Sequence, residues 1–170
     1  TTRIIKITRN LMKTIQIGGH RYKTSPIKGY ALVDDEDFDR VNQYQWCWDQ
    51  GYTRANVDKK IMYMHRFILG KVAEGKGIDH KNHNGFDNRK SNLRVCNQSQ
   101  NLANQRLSRS NTSGYKGVIW NRYLKRWVAQ TIHRRKRYAQ YARTKEEAAE
   151  KYNKMVQRIH GEFALLNKIL

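Results

Sequence analysis

The sequence predicts a mixed α+β fold made of several short strands and few helices, and three observations lead to this class. The first third of the chain carries short strand-like runs that are separated by glycines and acidic residues. A polar stretch in the middle is flanked by two short apolar runs and is followed by a helix start. The last third carries three further strand-like runs and then one amphipathic helix.

Residues 1–64 are predicted to form a small β-rich region. The strand-like runs are residues 15–17, which end at Gly18 and Gly19, and residues 29–33, 45–48 and 52–55. Asp34 and the acidic residues after it predict a turn behind the second run. We interpret this region as a sheet that supports the polar stretch downstream, and we leave open whether it also touches the ligand.

The charge of the chain indicates a polyanionic partner. The 170 residues include 34 Lys+Arg and 14 Asp+Glu, which gives a formal net charge of +20. No acidic residue lies between Asp87 and Glu146, although 15 basic residues do. Nucleic acid is the leading candidate and an anionic membrane surface is the alternative. No apolar run approaches the roughly 20 residues that span a bilayer, and residues 1–9 lack a signal-peptide pattern, so we expect an intracellular protein without a membrane partner.

The two cysteines predict neither a disulfide framework nor a zinc site. Cys47 and Cys96 form no C-x-x-C pair, and no other cysteine is available. Two buried thiols are the simpler interpretation, and no structural zinc is expected.

The polar stretch in the middle of the chain has the pattern strand, loop, strand, helix. Residues 77–80 can end one strand, residues 93–95 can form a second, and the loop between them is rich in Asn, Asp and Gly. Asn97 can cap a helix with Gln100 as its reciprocal partner. This order is expected to bring together Asp79, His80 and Asn101.

These three residue types suit the hydrolysis of a phosphodiester. The carboxylate of Asp79 and the amide oxygen of Asn101 are hard ligands of the kind that Mg²⁺ or Mn²⁺ prefers. A neutral histidine with a pKa near 6.5, here His80, can take a proton from an attacking water at pH 7. His83 is a competing base candidate, although its place in a turn-rich loop favours a solvated side chain.

The segment 79–101 resembles the HNH (ββα-metal) nucleases, and in particular their homing-endonuclease branch, through the pattern D-H-x-x-x-N…D-N…N-L-R…Q-N. The resemblance implies one Mg²⁺ or Mn²⁺ per active site, with Asp79 and Asn101 as metal ligands and His80 as the general base. Asn92 would be the middle residue, which braces the loop and orients His80 by hydrogen bonding. Asn101 stands where the motif name has its final His. The residues of this part expected to contact DNA are His65, Arg66, Arg89 and Arg94.

Residues 114–170 are predicted to form a second functional part, behind a polar linker at residues 106–113. Strands are predicted at residues 115–120, 126–132 and 137–141. Thr144 can cap the helix that follows, with Glu147 at its third position, and Gly161 can end it.

This second part resembles the AP2/ERF DNA-binding domain through Gly114-Tyr-Lys-Gly-Val118, Arg126-Trp-Val-Ala129 and the following helix. The resemblance implies a three-stranded antiparallel sheet in the major groove with the helix behind it. Alternation along the strands would turn Val118, Trp127 and Ala129 toward the helix. The DNA-contacting residues expected here are Lys116, Asn121, Arg122, Lys125, Arg126, Gln130 and Arg134.

Together these features predict a β-rich region at 1–64, an HNH motif at 65–105, the linker, and an AP2-like domain. The predicted function is a metal-dependent, site-directed endonuclease of homing type that nicks double-stranded DNA. We expect it to be encoded by a phage or mobile element and to use no small-molecule cofactor. It is expected to act as a monomer or as a dimer that forms on DNA. Two alternatives stay open: a DNA-binding regulatory module with an inactive HNH scaffold, and a structure-specific nuclease. The presence together of Asp79, His80 and Asn101 argues against an inactive site.

Overall fold

The computed structural model describes residues 12–18 and 26–169. The chain divides into two compact units, residues 1–95 and 96–170. The predicted domain limits at 64/65, 105/106 and 113/114 therefore stay predictions. The predicted strand end at Gly19 and the pattern of residues 1–9 lie outside the described residues. No helix in the described part of the chain is long and apolar enough to cross a membrane.

The first unit contains three small sheets and two short helices, in the order β1 (Met12–Ile17), β2 (Gly29–Asp34), α1 (Asp35–Val41), β3 (Cys47–Asp49), β4 (Tyr52–Val57), β5 (Lys60–Tyr63), α2 (Met64–Leu69), β6 (Lys76–His80) and β7 (Leu93–Asn97), the last of which reaches into the second unit. β1 pairs antiparallel with β2, β4 pairs antiparallel with both β3 and β5, and β6 pairs with β7. The four predicted strands are present, whereas β5 and α2 were not predicted.

The acidic stretch after β2 is a helix and not the predicted turn. Asp35, Glu36 and Asp37 lie in the first turn of α1, where negative charge is favoured by the helix dipole. Val41 is fully buried, and its carbonyl accepts a hydrogen bond from Trp46 Nε1 at 2.8 Å. Apolar burial by Val41 therefore adds to the local preference and makes this segment helical.

The loop between β6 and β7 is fixed by the edge of β2. Leu32 N donates to Phe86 O at 2.7 Å, and Asn88 N donates to Leu32 O at 2.9 Å. The carboxylate of Asp34 accepts from Lys90 N at 2.7 Å. A side chain at Gly85 would collide with the main chain of Gly51, so this close approach requires glycine. The N-terminal strands therefore support the polar loop, as the sequence predicted.

The second unit begins with a short helix and continues with a sheet and a long helix: α3 (Gln98–Asn104), β8 (Val118–Asn121), β9 (Arg126–His133), β10 (Lys136–Ala142), α4 (Lys145–His160) and a 3-10 turn at Gly161–Phe163. The antiparallel sheet has the order β10-β9-β8. Val118 and Ala129 pack against Tyr152 and Val156 of α4. The mixed α+β class with small antiparallel sheets is thus confirmed.

Two predicted helix caps are present in this unit. Asn97 and Gln100 form a reciprocal capping box at the start of α3, with Asn97 Oδ1 accepting from Gln100 N at 2.8 Å. Thr144 Oγ1 accepts from Glu147 N at 3.1 Å at the start of α4. In a capping box, the Glu147 carboxylate would accept from the main-chain N of the N-cap residue Thr144. Here it accepts from Arg143 N, one residue earlier, at 2.8 Å.

Candidate active site

Asp79 and His80 lie at the end of β6 and are both buried. Arg94 on the adjacent β7 donates from Nε and Nη2 to Asp79 Oδ2 at 3.0 and 2.9 Å. The Arg94 side chain is 10% exposed, so its guanidinium is committed to the carboxylate. The prediction that Arg94 contacts DNA is therefore not supported by its position, because this arginine instead holds Asp79 in place.

The ring of His80 is held by Asn88, which the sequence analysis did not assign. Asn88 is fully buried, and its Oδ1 lies 3.3 Å from His80 Nε2. Its amide nitrogen donates to Gly85 O at 3.1 Å and to Thr53 Oγ1 at 3.3 Å. A carbonyl can only accept, so the amide nitrogen faces Gly85 and the amide oxygen faces the histidine. His80 Nε2 therefore carries the proton, and the basic lone pair of the neutral ring is on Nδ1.

Asn92 braces the loop, as predicted, but it does not orient His80. Its Oδ1 accepts from Asn82 N at 3.1 Å, and its Nδ2 donates to Asn82 Oδ1 at 3.0 Å and Asp87 O at 2.7 Å. These bonds saturate the amide within the loop. The orienting hydrogen bond comes from Asn88, and the signal that could have identified it is the Asp-Asn pair at positions 87 and 88 of the motif.

Arg89 also has a structural partner. Its Nε and Nη2 donate to the two oxygens of Asp87 at 2.7 Å each, and Asn82 Nδ2 donates to the same carboxylate at 2.8 Å. Burial alone would raise the pKa of Asp87, but the hydrogen bonds from Arg89 outweigh it and lower the pKa. The predicted DNA contact of Arg89 would therefore compete with an ion pair that closes the loop.

A group of rings surrounds His80 on the side of α2. The ring of His65 meets that of His80 edge to face at 5.2 Å, and Tyr52 and Tyr63 lie 5.4 and 5.7 Å from His65. His65 is buried, its Nδ1 has no hydrogen-bond partner in the described structure, and burial lowers its pKa to about 3. His65 is thus a neutral packing residue and not a phosphate contact, whereas the neighbouring Arg66 is exposed.

The electrostatic setting keeps His80 neutral. Burial lowers its pKa below 6.5, although the hydrogen bond to Asn88 and the charge of Asp79 partly oppose this effect. The ring is therefore uncharged at pH 7, which is the state that a general base requires.

Asn101 lies on α3, in the second unit, with an exposed side chain. Four site residues lie together in the first unit: Asp79, His80, Asn88 and Asn92. Asn101 belongs to the second unit. No group of three or more His, Cys, Asp or Glu side chains among the described residues could hold a metal ion. Taken singly, the carboxylate of Asp79 and the amide oxygen of Asn101 are hard donors of the type that Mg²⁺ prefers, beside water and phosphate.

Among the DNA-contacting residues predicted in the second unit, two have other roles. Lys116 donates to main-chain carbonyls at the end of α3. The Asn121 side chain accepts from Tyr123 N and Leu124 N, both at 3.0 Å, and so closes the β8–β9 turn. Gln130 is half-buried. The four that are exposed are Arg122, Lys125, Arg126 and Arg134.

The face of the second unit's sheet that points away from α4 is apolar at its centre. Ile119 and Tyr141 are the cross-strand partners of Val128, so these three side chains share one face. Ile119 and Tyr141 are 41% and 50% exposed. Arg126 and Arg137 lie toward opposite ends of the same face, and both are exposed without a carboxylate partner among the described residues. We call this surface the outer sheet face.

A buried Asp-His pair at the end of β6, followed by a polar loop and by β7, is the local arrangement expected of an HNH-type nuclease. A family model described as HNH endonuclease matches residues 63–103. The chain is 34% identical over 146 residues to the protein described as "Uncharacterized HNH endonuclease L560" of Acanthamoeba polyphaga mimivirus, covering 82% of this chain and 75% of that protein. The chain belongs to the HNH endonuclease family and is a DNA endonuclease.

A second relative is a phage protein. "Protein 3.8" of Escherichia phage T7 is 28% identical over 95 residues, which cover 56% of this chain and 78% of the phage protein. No solved structure matches the chain.

Proposed function

We propose that this protein is a metal-dependent, site-directed DNA endonuclease in which His80 is the general base. The observation that carries the proposal is the buried Asp79–His80 pair, in which Arg94 fixes the carboxylate and Asn88 fixes the ring. Both side chains are buried and hydrogen-bonded, and an unpaired buried charge or amide is costly. Such preorganisation suits a catalytic pair better than an incidental one.

We assign roles to the chain's own residues on the basis of these bonds. His80 Nδ1 accepts the proton of the attacking water, while the proton on Nε2 stays with Asn88 and keeps the ring in one tautomer. Asp79 and Asn101 would hold one Mg²⁺ or Mn²⁺. When bound, the cation neutralises charge on the phosphoryl group and on the leaving oxygen. Asn92 keeps the loop closed around Asp87.

The type of cleavage is proposed from the number of active sites. One Asp79–His80 pair per chain cuts one strand, so nicking is the expected reaction. A double-strand cut would need a dimer formed on DNA or a second binding event. The two relatives come from a virus and a phage, which supports encoding by a phage or mobile element. Homing type and action within the infected cell are parts of the proposal.

The second unit is proposed to bind the DNA through the outer sheet face. Arg126 and Arg137 flank an apolar strip, and Arg122, Lys125 and Arg134 lie in the turns at its two ends. Cations without carboxylate partners among the described residues are available to phosphates, and the major groove can admit a surface built from strands. The likeness to the AP2 domain is consistent with this arrangement but stays a proposal.

The test is cleavage of supercoiled plasmid that carries long inserts from phage or intron-flanking DNA. Incubation with Mg²⁺, Mn²⁺ or EDTA, and with His80→Ala in parallel, separates the three candidate functions. Metal-dependent nicking at a discrete position that is lost in the variant supports the proposal. Binding without any cut would favour the regulatory module, and cuts that follow branches or nicks but not sequence would favour the structure-specific nuclease.

A further inference from the structure

The C-terminal end of α3 is closed by a single lysine. The last carbonyls of a helix lack partners within it. Lys116 Nζ donates to three main-chain carbonyls there, those of Leu102 at 3.2 Å, Ala103 at 2.6 Å and Gln105 at 2.6 Å. An ammonium group has three N–H donors, so these bonds use its full capacity.

The main chain of Lys116 is itself held by Asn167, in the segment that follows α4. Its main-chain N donates to Asn167 Oδ1 at 2.7 Å, and Asn167 Nδ2 donates to its carbonyl at 3.1 Å. Asn167 is in turn bound to Asn153 on α4 by two bonds of 2.8 and 2.9 Å. Leu165 N adds a bond to Ala103 O at 3.1 Å. A continuous hydrogen-bonded path therefore runs from α4 through Asn167 and Lys116 to the end of α3.

This lysine is poorly placed to contact phosphate. It is half-buried, and burial lowers its pKa to about 8. Its positive charge lies at a helix C-terminus, where a cation is favoured by the helix dipole. Withdrawing the ammonium to reach DNA would break its three hydrogen bonds at the end of α3, each of which contributes about 0.5–1.5 kcal/mol.

We propose that Lys116 is a positioning residue for the nuclease, and that through it the C-terminal unit sets the position of Asn101 and hence the affinity for the metal. The inference rests on the proposed role of Asn101 as a ligand. A helix of seven residues is too short to be stable alone, so its position depends on what holds its two ends. Asn97 holds one end of α3 and Lys116 holds the other.

With this role for Lys116, the C-terminal unit is more than a detachable DNA-binding module. A detachable DNA-binding module could be removed or exchanged with loss of target affinity alone. Here the same unit that carries the sheet also anchors the helix of the proposed ligand, so altering its interior is expected to weaken metal binding before it weakens DNA binding.

The experiment measures Mn²⁺ affinity of the full chain without DNA, by titration calorimetry or electron paramagnetic resonance, for Lys116→Met and Asn101→Ala. The exposed Lys154→Met, on α4 of the same unit, is the matched control. We expect Lys116→Met to weaken Mn²⁺ binding about tenfold, as supporting residues of metal sites commonly do, while DNA affinity in EDTA is unchanged. Lys154→Met should bind Mn²⁺ like the parent. Asn167→Ala, which removes only the bonds behind Lys116, should repeat the effect if Lys116→Met does not fold.

The possible results separate the two proposals. Unchanged Mn²⁺ affinity in Lys116→Met, with weakened affinity in Asn101→Ala, overturns the positioning role alone. Unchanged affinity in Asn101→Ala removes the proposed ligand and, with it, this inference. Weaker DNA binding in EDTA with normal Mn²⁺ affinity would return Lys116 to the set of DNA contacts.

Discussion

The two units differ in how many of their cations have carboxylate partners, although the second unit also contains the pairs Lys145–Glu146 and Lys151–Glu147. In the first unit, arginines and lysines are paired with carboxylates, as in Arg40–Asp37, Arg54–Asp49, Arg89–Asp87, Lys90–Glu36 and Arg94–Asp79. The second unit contains four acidic residues, Glu146, Glu147, Glu150 and Glu162, and its sheet contains none. Paired cations build and orient a site, whereas cations without carboxylates remain available to phosphate. On the proposed function, the first unit supplies the Asp79–His80 pair, and the second unit supplies most of the DNA affinity together with the proposed ligand Asn101.

The largest expected effect tests whether the first unit contributes chemistry without affinity. His80→Ala removes the proposed base, and general-base catalysis contributes about 10²–10⁴-fold to a rate. We expect single-turnover cleavage to fall by that factor while DNA affinity measured in EDTA is unchanged. The control is His83→Asn, because His83 has a φ of 60° that asparagine also tolerates. A large loss of cleavage in His83→Asn, with normal cleavage by His80→Ala, would move the base to the loop.

The second prediction compares one cation from each unit directly. Arg94→Met leaves the buried Asp79 carboxylate without the two bonds from its guanidinium, and breaking a buried ion pair commonly lowers the free energy of unfolding by about 3–5 kcal/mol. Arg126→Met, on the outer sheet face, should change stability by less than about 0.5 kcal/mol. It should instead weaken DNA binding and reduce the salt slope by about one. Urea unfolding and binding at several salt concentrations measure both effects, and equal destabilisation by the two variants would remove the distinction.

The third prediction concerns pH and the closed ring cluster of the first unit. The pKa of His65 is lowered to about 3 in the folded protein, whereas an unfolded histidine titrates near 6.5. Below pH 6.5 the unfolded chain therefore binds a proton that the folded chain does not, and stability is lost as the pH falls from 6.5 toward 3. At pH 5 this group should lower the free energy of unfolding by about 2 kcal/mol relative to pH 8.

The matched variant for this effect is His65→Phe, which keeps a ring of similar size but cannot take a proton. Denaturant unfolding at pH 8 and pH 5 should show a smaller difference in the variant than in the parent. Identical pH dependence of the two proteins would mean that His65 is reached by solvent, contrary to its packing between Tyr52, Tyr63 and His80.

The sequence predicted the local elements of the site better than its contacts. Strand alternation and capping signals act over a few residues, so β6, β7, α3 and the Asn97–Gln100 box could be anticipated. The Asp87-Asn88 pair of the motif could mark Asn88 as a candidate, but its role could not be assigned, because that role depends on Thr53, 35 positions away, and on a main-chain carbonyl. Charge alone does not separate structural cations from DNA contacts. Arg94 and Lys116 are positively charged like a phosphate-binding residue, and only their partners, a carboxylate and main-chain carbonyls, distinguish them.

The smallest expected effect asks whether the second unit reads bases or only holds phosphates. Around the buried Val128, the side chains of Ile119, Ile132 and Tyr141 expose mainly apolar atoms, and the base feature that suits such a surface in the major groove is the methyl group of thymine. Replacing thymine by uracil in the target removes these methyls without changing base pairing. Each buried methyl contributes about 0.8 kcal/mol, so affinity should fall about fourfold for each contacted thymine. Ile132→Asn should reduce affinity for thymine DNA toward that for uracil DNA, because the variant has lost the surface that distinguishes them. Equal affinity of the parent for both DNAs would restrict the outer sheet face to phosphate contacts and leave target choice to the first unit.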